Sequence, residues 1–343
     1  MITYTLKVID IKRETNNVIT ICFKQPALRK IKYKAGQYLT LIFRINGRRY
    51  VRPYSFSSAP LDSNILEVSV KRVPFGVVSN HIHDIVKIGD AMEVMEPMGD
   101  FVFENDGSVS EVYFWGVGSG ITPIISIIKE TLLSDSSVKL NLIYGNRNYS
   151  ETIFLDKITN LLTLYPERFE VFYLFTGSDN ENCMPNIFKG RINHDFALNI
   201  LSGKDLAGTR HYICGPAEMK DSVKESLMSF LVPRNNILSE DFELEKDVKD
   251  LVDIFTKDVT IRFENIEHLL EVVKGKSILA AALDAGIELP YSCQTGTCNL
   301  CKARLVSGSI KTIGADDERH NLKDDERLLC CSYPLSDEIK LEI

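Results

Sequence analysis

Cys293, Cys298 and Cys301 stand in the pattern C-x4-C-x2-C within Tyr291-Ser292-Cys293-Gln294-Thr295-Gly296-Thr297-Cys298-Asn299-Leu300-Cys301, and an adjacent pair, Cys330-Cys331, follows after a long gap. A two-iron cluster needs two thiolates per iron. A tight loop that wraps one side while a distant element closes the other produces this spacing, that of a plant-type 2Fe-2S centre. Such a centre moves one electron at a time. Gly296 and its small neighbours Thr295 and Thr297 let loop amides turn toward the inorganic sulfides, which tunes the potential. Four-cysteine zinc sites usually come as two C-x2-C pairs, a pattern absent here. Between Cys330 and Cys331 the spacing does not choose, because adjacent residues of a strand face opposite ways.

A one-electron carrier needs a source, and three further stretches have the chemistry to supply one. In Arg52-Pro53-Tyr54-Ser55, a guanidinium suits a pyrophosphate, an aromatic ring can cover a flat cofactor and a hydroxyl can bond a ring nitrogen. In Val70-Lys71-Arg72-Val73-Pro74-Phe75-Gly76-Val77-Val78-Ser79, which precedes a short helix expected over 81–85, Gly76 lets the backbone approach a phosphate, and Ser79 with the helix N-terminal amides can bind it. Gly118-Ser119-Gly120-Ile121-Thr122-Pro123 joins an apolar strand to an apolar helix, and its glycines admit a dinucleotide phosphate onto the helix N-terminus. His81 and His83 lack a third ligand nearby and read as ordinary barrel-edge side chains.

The elements that must position these groups change character along the chain. Thr5 to Ile11, Val18 to Phe23, Tyr38 to Ile45 and Leu66 to Val70 are strand-length runs broken by turn residues, so an antiparallel β-barrel domain is expected over 1–105. From about 110, strands alternate with Gly-rich turns and helices: Glu111 to Gly116, Lys139 to Tyr144, Glu170 to Phe175 and His211 to Cys214, with helices over 124–133, 151–164 and 217–231. That rhythm implies an α/β domain with a parallel sheet over 106–242 and ligands at the strands' carboxyl ends. The charged stretch 243–256 reads as a linker or tether. An α+β domain is expected over 257–343, with strands at 259–263 and 268–273, a helix from Ser277 to Ala285 capped by Ser277 and ended by Gly286, and a strand over 303–306.

The chain of 343 residues, 44% hydrophobic and 25% charged, is long enough for two or three soluble domains. A net charge of -7 gives no basic face for nucleic acid. No apolar run is long and smooth enough for a membrane span, and the start has no signal-peptide pattern, so the expected location is cytoplasmic. Cysteines outside the cluster pattern read as reduced buried thiols. The acids Asp316, Asp317, Glu318, Asp324, Asp325 and Glu326 form either a solvated loop or a docking face.

Taken in order, Gly36-Gln37, Arg52-x-Tyr54-Ser55, Gly76-x-x-Ser79, Gly89-Asp90 and Pro97-x-Gly99-Asp100-Phe101, followed by Gly118-x-Gly120-x-Thr122-Pro123 and Cys214-Gly215-Pro216-x-x-Met219, resemble the ferredoxin-NADP reductase superfamily. The segment 257–343 resembles a plant-type ferredoxin of the β-grasp fold. The three modules in this order resemble the reductase components of bacterial oxygenases. The resemblance implies FAD rather than FMN, with Tyr54 against the isoalloxazine ring, Ser55 near its N5 atom and Arg52 on the pyrophosphate, a site completed by Val70, Lys71, Gly76, Val77, Val78 and Ser79. Phe242, in a Glu-x-Phe ending, is expected near the flavin. Gly118, Ser119, Gly120, Thr122, Pro123, Arg147, Cys214, Gly215 and Pro216 are expected around the nicotinamide nucleotide, with Cys214 shaping the nicotinamide pocket. Thr176-Gly177-Ser178-Asp179-Asn180-Glu181 carries acids where NADPH users of the family place a Ser-Arg pair, so NADH is expected over NADPH, with Arg147 the cation that argues the other way. The usual Leu-Thr-Cys-Gln ending of the family, laid on Leu328-Leu329-Cys330-Cys331, places the fourth ligand at Cys330. The function implied is transfer of electrons from NAD(P)H through FAD and a 2Fe-2S cluster to a protein acceptor, an oxygenase or related redox enzyme. Two alternatives are a redox-sensing module with a vestigial flavin half and a self-contained reductase of small molecules.

Overall fold

The computed structural model describes residues 2–26, 30–62, 64–134, 137–177, 186–244, 246–314 and 322–343. Cys183, Ser178 to Glu181 and the acids Asp316, Asp317 and Glu318 lie outside the described residues. None of the described cysteines forms a disulfide. No helix of the described residues is long and apolar enough to cross a membrane.

Six strands, β1 (Thr3–Thr15), β2 (Val18–Lys24), β3 (Tyr38–Ile45), β4 (Arg48–Ser55), β5 (Ile65–Lys71) and β6 (Ala91–Met95), form an antiparallel sheet in the order β4-β3-β6-β1-β2-β5. It closes just past β4. Phe56 bridges Val68 of β5, and the Ser57 N–H donates to the Glu67 carbonyl at 2.9 Å. Closure removes the unpaired edges of a flat sheet, but here the bridge to β5 involves the residue after β4 rather than β4 itself. Helix α1 (Val77–Asp84) follows β5 and starts earlier than the expected 81–85. Strand β6 is short and had no turn-bounded run long enough to single it out, although its buried positions Met92 and Val94 alternate with exposed Ala91 and Glu93.

The second sheet contains β7 (Glu111–Val117), β8 (Lys139–Asn146), β9 (Phe169–Phe175), β10 (Ile187–Lys189), β11 (Thr209–Cys214) and β12 (Ile237–Glu240), ordered β10-β9-β8-β7-β11-β12 with every pair parallel. Helices α2 (Ile121–Leu133), α3 (Leu155–Leu164), α4 (His194–Leu201) and α5 (Ala217–Ser229) connect the strands. Alternate residues of β7 and β8 feed two cores: Phe114, Leu140 and Leu142 with Ile124 and Ile128 on one side, Trp115 and Ile143 with Leu201 and Val223 on the other. Burial on both faces is what makes these strands read as near-continuous apolar runs.

Two details depart from the sequence expectation. Helix α3 begins at Leu155, not Glu151, because Asn148 accepts the Glu151 N–H at 2.9 Å to cap a 3₁₀ turn and Phe154 then takes a left-handed φ of 62°. A helix does not run through such a residue. Strand β10 and helix α4 were not anticipated. A usable signal was present for α4, since Asn193 caps it by accepting the Phe196 N–H at 2.9 Å and Asp195 suits the first turn.

The C-terminal fold has β13 (Lys257–Phe263), β14 (Ile266–Val272), α6 (Ile278–Asp284), β15 (Lys302–Ser307), β16 (Ile310–Thr312), β17 (Glu326–Leu328), β18 (Ser332–Pro334) and β19 (Ile339–Glu342). The main sheet runs β14-β13-β19-β15-β17, with β19 parallel to β13 and the other pairs antiparallel, and β16 pairs with β18. This is the α+β, β-grasp arrangement expected from the sequence. Ser277 caps α6 by accepting the Ala280 N–H.

The chain divides into two compact units, residues 1–41 with 54–240 and residues 42–53 with 241–343. The tip of the β3–β4 hairpin therefore belongs with the C-terminal fold. Within that second unit, the stretch expected to be a tether is fastened: Ile254 is buried against Ile313 and Tyr333, and Lys311 donates to the Asp250 carbonyl at 2.7 Å.

Candidate redox centre

The cysteine loop is built by three left-handed residues, Gln294 at φ 59°, Gly296 at φ 80° and Asn299 at φ 60°. Gly296 adopts that conformation freely, and the two non-glycine residues hold strain of about 1 kcal/mol each. The turns aim main-chain donors inward, and the N–H groups of Thr295 and Thr297 both reach Cys293 Sγ at 3.4 Å. The hydrogen bond from Cys298 does most to hold the Cys293 thiol down to about 4, with the loop donors adding to it against burial. Its partner in the pair is pushed up in turn.

A second pair forms across the fold, where Cys301 at the end of the loop neighbours Cys330, which follows β17, and that neighbour together with burial pushes the Cys301 thiol up. The Leu329 N–H donates to the Cys301 carbonyl at 3.0 Å and keeps the two segments in register. Cys331 Sγ lies 3.6 Å from Cys330 Sγ and is fully buried. Among the described residues no three ligand side chains gather as on a single ion. Two thiol pairs, Cys293 with Cys298 and Cys301 with Cys330, instead suit a two-iron cluster, which takes two thiolates per iron. The donor set fits the group.

Arg52, Tyr54 and Ser55 lie on β4. Arg52 Nη1 donates to the Val51 carbonyl at 2.8 Å and its guanidinium lies 5.9 Å from the Tyr50 ring. Tyr54 is half-buried and Ser55 buried. Helix α1 is capped at its N-terminus by Gly76 with no side-chain acceptor, so its first N–H groups remain available to an anion. Ser79 Oγ accepts the Val73 N–H at 3.1 Å and pins the approach loop. A Cβ on Gly76 would stand 2.6 Å from that hydroxyl. Val70 and Val78 are buried beneath the loop, while Lys71 and Val77 face solvent. An open helix start beside a glycine fits a pyrophosphate. Phe242 follows β12, half-exposed, and belongs to the second unit.

A cavity of about 540 Å³ opens at the carboxyl ends of the parallel strands. It brings together Lys71, Gly118, Arg147 and Pro216 from the expected set and adds Arg191 and Glu218, which the sequence reading missed. Arg191 Nη1 lies 3.8 Å from a Glu218 carboxylate oxygen. Ser119, Gly120, Thr122, Pro123, Cys214 and Gly215 do not line this cavity. They pack the turn beneath it: Thr122 Oγ1 donates to the Ser119 carbonyl at 3.0 Å, and Gly120 approaches the Cys214 carbonyl so closely that a Cβ would meet it at 2.1 Å.

Family models agree with this arrangement. An oxidoreductase FAD-binding domain matches residues 5–103, an oxidoreductase NAD-binding domain residues 114–225, and a 2Fe-2S iron-sulfur cluster binding domain residues 261–335. The chain is 30% identical to a component of the 1,2-phenylacetyl-CoA epoxidase of Escherichia coli (strain K12), over 99% of this chain and 97% of that protein. It is 29% identical to the ferredoxin reductase component of 3-ketosteroid-9-alpha-monooxygenase of Rhodococcus rhodochrous, over 98% and 96%. Its fold is shared with phthalate dioxygenase reductase, with a TM-score of 0.69, 24% identity and coverage of 99% and 98%. Three successive domain matches, on folds whose glycine turns and thiol pairs fit the corresponding groups, make this chain a member of the family of NAD(P)H-dependent oxidoreductases that join an FAD-binding domain, an NAD-binding domain and a 2Fe-2S domain in one polypeptide.

Proposed function

We propose that the chain is the reductase component of an oxygenase or related redox system, drawing electrons from NADH in the cytoplasm and releasing them singly to a protein acceptor. The observation that carries the proposal is the geometry of the cysteine loop, in which the Thr295 and Thr297 N–H groups reach Cys293 Sγ and the Leu329 N–H ties Cys301 to the segment that carries Cys330, which gives a two-iron outlet to a chain that also has FAD- and NAD-binding domains. When bound, FAD takes up a hydride's two electrons and the cluster passes them on one at a time. Tyr54 would cover a bound flavin ring with Ser55 beside it, and Arg52 and the amides of Val77, Val78 and Ser79 would hold its pyrophosphate. The Gly118 turn and Arg147 would hold the nicotinamide nucleotide, and Thr122 and the Cys214-Gly215-Pro216 turn would shape the pocket for its nicotinamide. Val70 and Gly76 set the path of the loop.

The preference for NADH rests on charge. Arg191 lies 3.8 Å from Glu218, and Glu151 also lines the cavity, so two carboxylates offset the cations Lys71, Arg147 and Arg191 that a 2′-phosphate would meet there. The oxygenase acceptor is supported by relatives whose names describe monooxygenase reductase components.

Anaerobic addition of NADH is expected to bleach the flavin and cluster absorption together. A Cys298→Ser protein is expected to bleach its flavin alone and to lose cytochrome c reduction. Full-rate cytochrome c reduction by that variant would overturn the cluster as outlet. NADH is expected to exceed NADPH in kcat/KM, and the reverse order would reject the proposed preference.

A further inference from the structure

The hairpin tip and the cysteine loop, both in the second unit, meet in a contact to which the function above gives no role. Strand β4 is terminal in its sheet, so donors on its outer side have no strand partner. The Val51 N–H uses that freedom and donates to the Tyr291 hydroxyl at 3.1 Å, a bond buried at both ends. Ion pairs join the same two segments. Arg44 bonds both carboxylate oxygens of Glu288, at 2.9 and 3.3 Å. Arg48 donates to Asp284 at 2.6 Å, and Arg49 Nε lies 3.9 Å from Glu288. A buried hydrogen bond accompanied by charge pairs between the same two segments has the make-up of a specific contact, not of an incidental surface touch.

The acids stand where helix stability does not call for them. Asp284 is the last residue of α6, the end at which a helix dipole disfavours negative charge. Arg48 and Lys276 both bond its carboxylate. Like the bidentate Arg44 to Glu288 pair, this fixes orientation more than it adds affinity.

We propose that Tyr291 is a positioning residue for electron transfer: it fixes the cysteine loop on β4 through Val51, and the electron enters the cluster across this bond. Tyr291 is two residues from Cys293, and Val51 is three from Tyr54 on the same strand, so the hydrogen bond joins the strand proposed to hold the flavin to the loop that holds the first thiolate. Each crossing takes one electron from the reduced flavin and adds one to the oxidised cluster, and no atom or proton crosses. The inference rests on the proposed flavin site of β4.

The test uses the flavin- and cluster-loaded protein with Tyr291→Phe, which keeps the ring and removes the hydroxyl. After mixing with NADH, the flavin-reduction phase is expected to be unchanged and the cluster-reduction phase to slow about tenfold, the scale of one buried hydrogen bond. The cluster's electron paramagnetic resonance signal is expected to stay the same, and amide exchange across residues 42–53 to rise. Glu288→Arg is expected to slow the same phase, and Arg44→Glu combined with it to restore part of the loss. Unchanged exchange in Tyr291→Phe would show that the contact does not hold in solution and would overturn the proposal, as would raised exchange with an unchanged cluster phase. Tyr54→Ala retaining flavin affinity and hydride-transfer rate would overturn the β4 flavin site, and the route with it, independently of Tyr291.

Discussion

Gly120→Ala is expected to cost far more than a methyl group in a loop ordinarily does. Gly120 sits at φ -61°, ψ -12°, a conformation any residue adopts, so the backbone itself raises no objection. Space does. The new Cβ would lie 2.1 Å from the Cys214 carbonyl oxygen, 2.6 Å from its carbon and 3.1 Å from the Gly215 nitrogen. Ordinary contact is about 3.5 Å, so roughly 1.4 Å must be opened between two main-chain segments. Neither yields easily, because Cys214 is held in parallel register with Gly116 of β7, and α2 is buried from Ile121 through most of its length. Overpacking costs about 1–3 kcal/mol, and a clash with backbone belongs at about 3. Gly118→Ala is the control. Its Cβ meets only Lys71 Nζ at 4.0 Å, but its φ is 54°, so it should lose about 1–2 kcal/mol to left-handed strain alone. Urea denaturation of both variants, with NADH concentration series on flavin reduction, should rank Gly120→Ala as the less stable and as the one with the higher KM. A Gly120→Ala protein within about 0.5 kcal/mol of wild type and with an unchanged KM would refute the claim that the Gly120 turn and the Cys214 turn are packed as one unit.

Three further outcomes follow from side chains. His211 is buried, accepts the Trp115 indole N–H at Nδ1 and contacts the Thr209 hydroxyl through Nε2, and burial lowers its pKa to about 3 from 6.5. The unfolded chain therefore binds a proton between pH 6.5 and 3 that the folded chain does not. Stability should fall with falling pH across that window by up to about 1.4 kcal/mol per unit from this residue, and urea midpoints of His211→Gln should show a shallower slope between pH 6.5 and 5. Equal slopes would remove His211 as the cause. Cys330→Ser is expected to lose the cluster's visible absorption and Cys331→Ser to retain it, and the opposite result would make Cys331 the fourth ligand. Glu218→Gln releases Arg191 from its pair and should move the NADPH to NADH ratio of kcat/KM upward by about fivefold, the scale of an exposed pair; an unchanged ratio would place both side chains outside the 2′-phosphate region.

Signals local in the chain were legible in the sequence alone. The C-x4-C-x2-C spacing, the turn glycines and the strand rhythm depend on neighbours within a few residues, and Ser277 could be recognised as the cap of α6 from its position. Short elements such as β10 and β6 escaped, since three to five residues carry too little periodicity to distinguish a strand from a turn. The start of α3 moved because one residue, Phe154, took a left-handed φ.

Long-range geometry decided the rest. Cys330 and Cys331 are equivalent by spacing and only the resemblance to the family's ending favours Cys330, whereas the fold is what brings this segment to the loop's end, through the pairing of β17 with β15 and the Leu329 N–H on the Cys301 carbonyl. Gly120 reads in the sequence as a glycine kept small for a phosphate, and the fold adds a reason the sequence does not hold, a Cys214 carbonyl 2.1 Å from where its Cβ would stand. Val51 and Tyr291 have no sequence relation, and a hydrogen bond across 240 positions follows only when an edge strand leaves a donor unpaired and a second fold brings a hydroxyl to it. Residue types and spacing thus determined which chemistry this protein carries. Packing between distant segments determined which atoms are close enough to perform it, because burial, register and clash are properties of surfaces that the chain acquires only on folding.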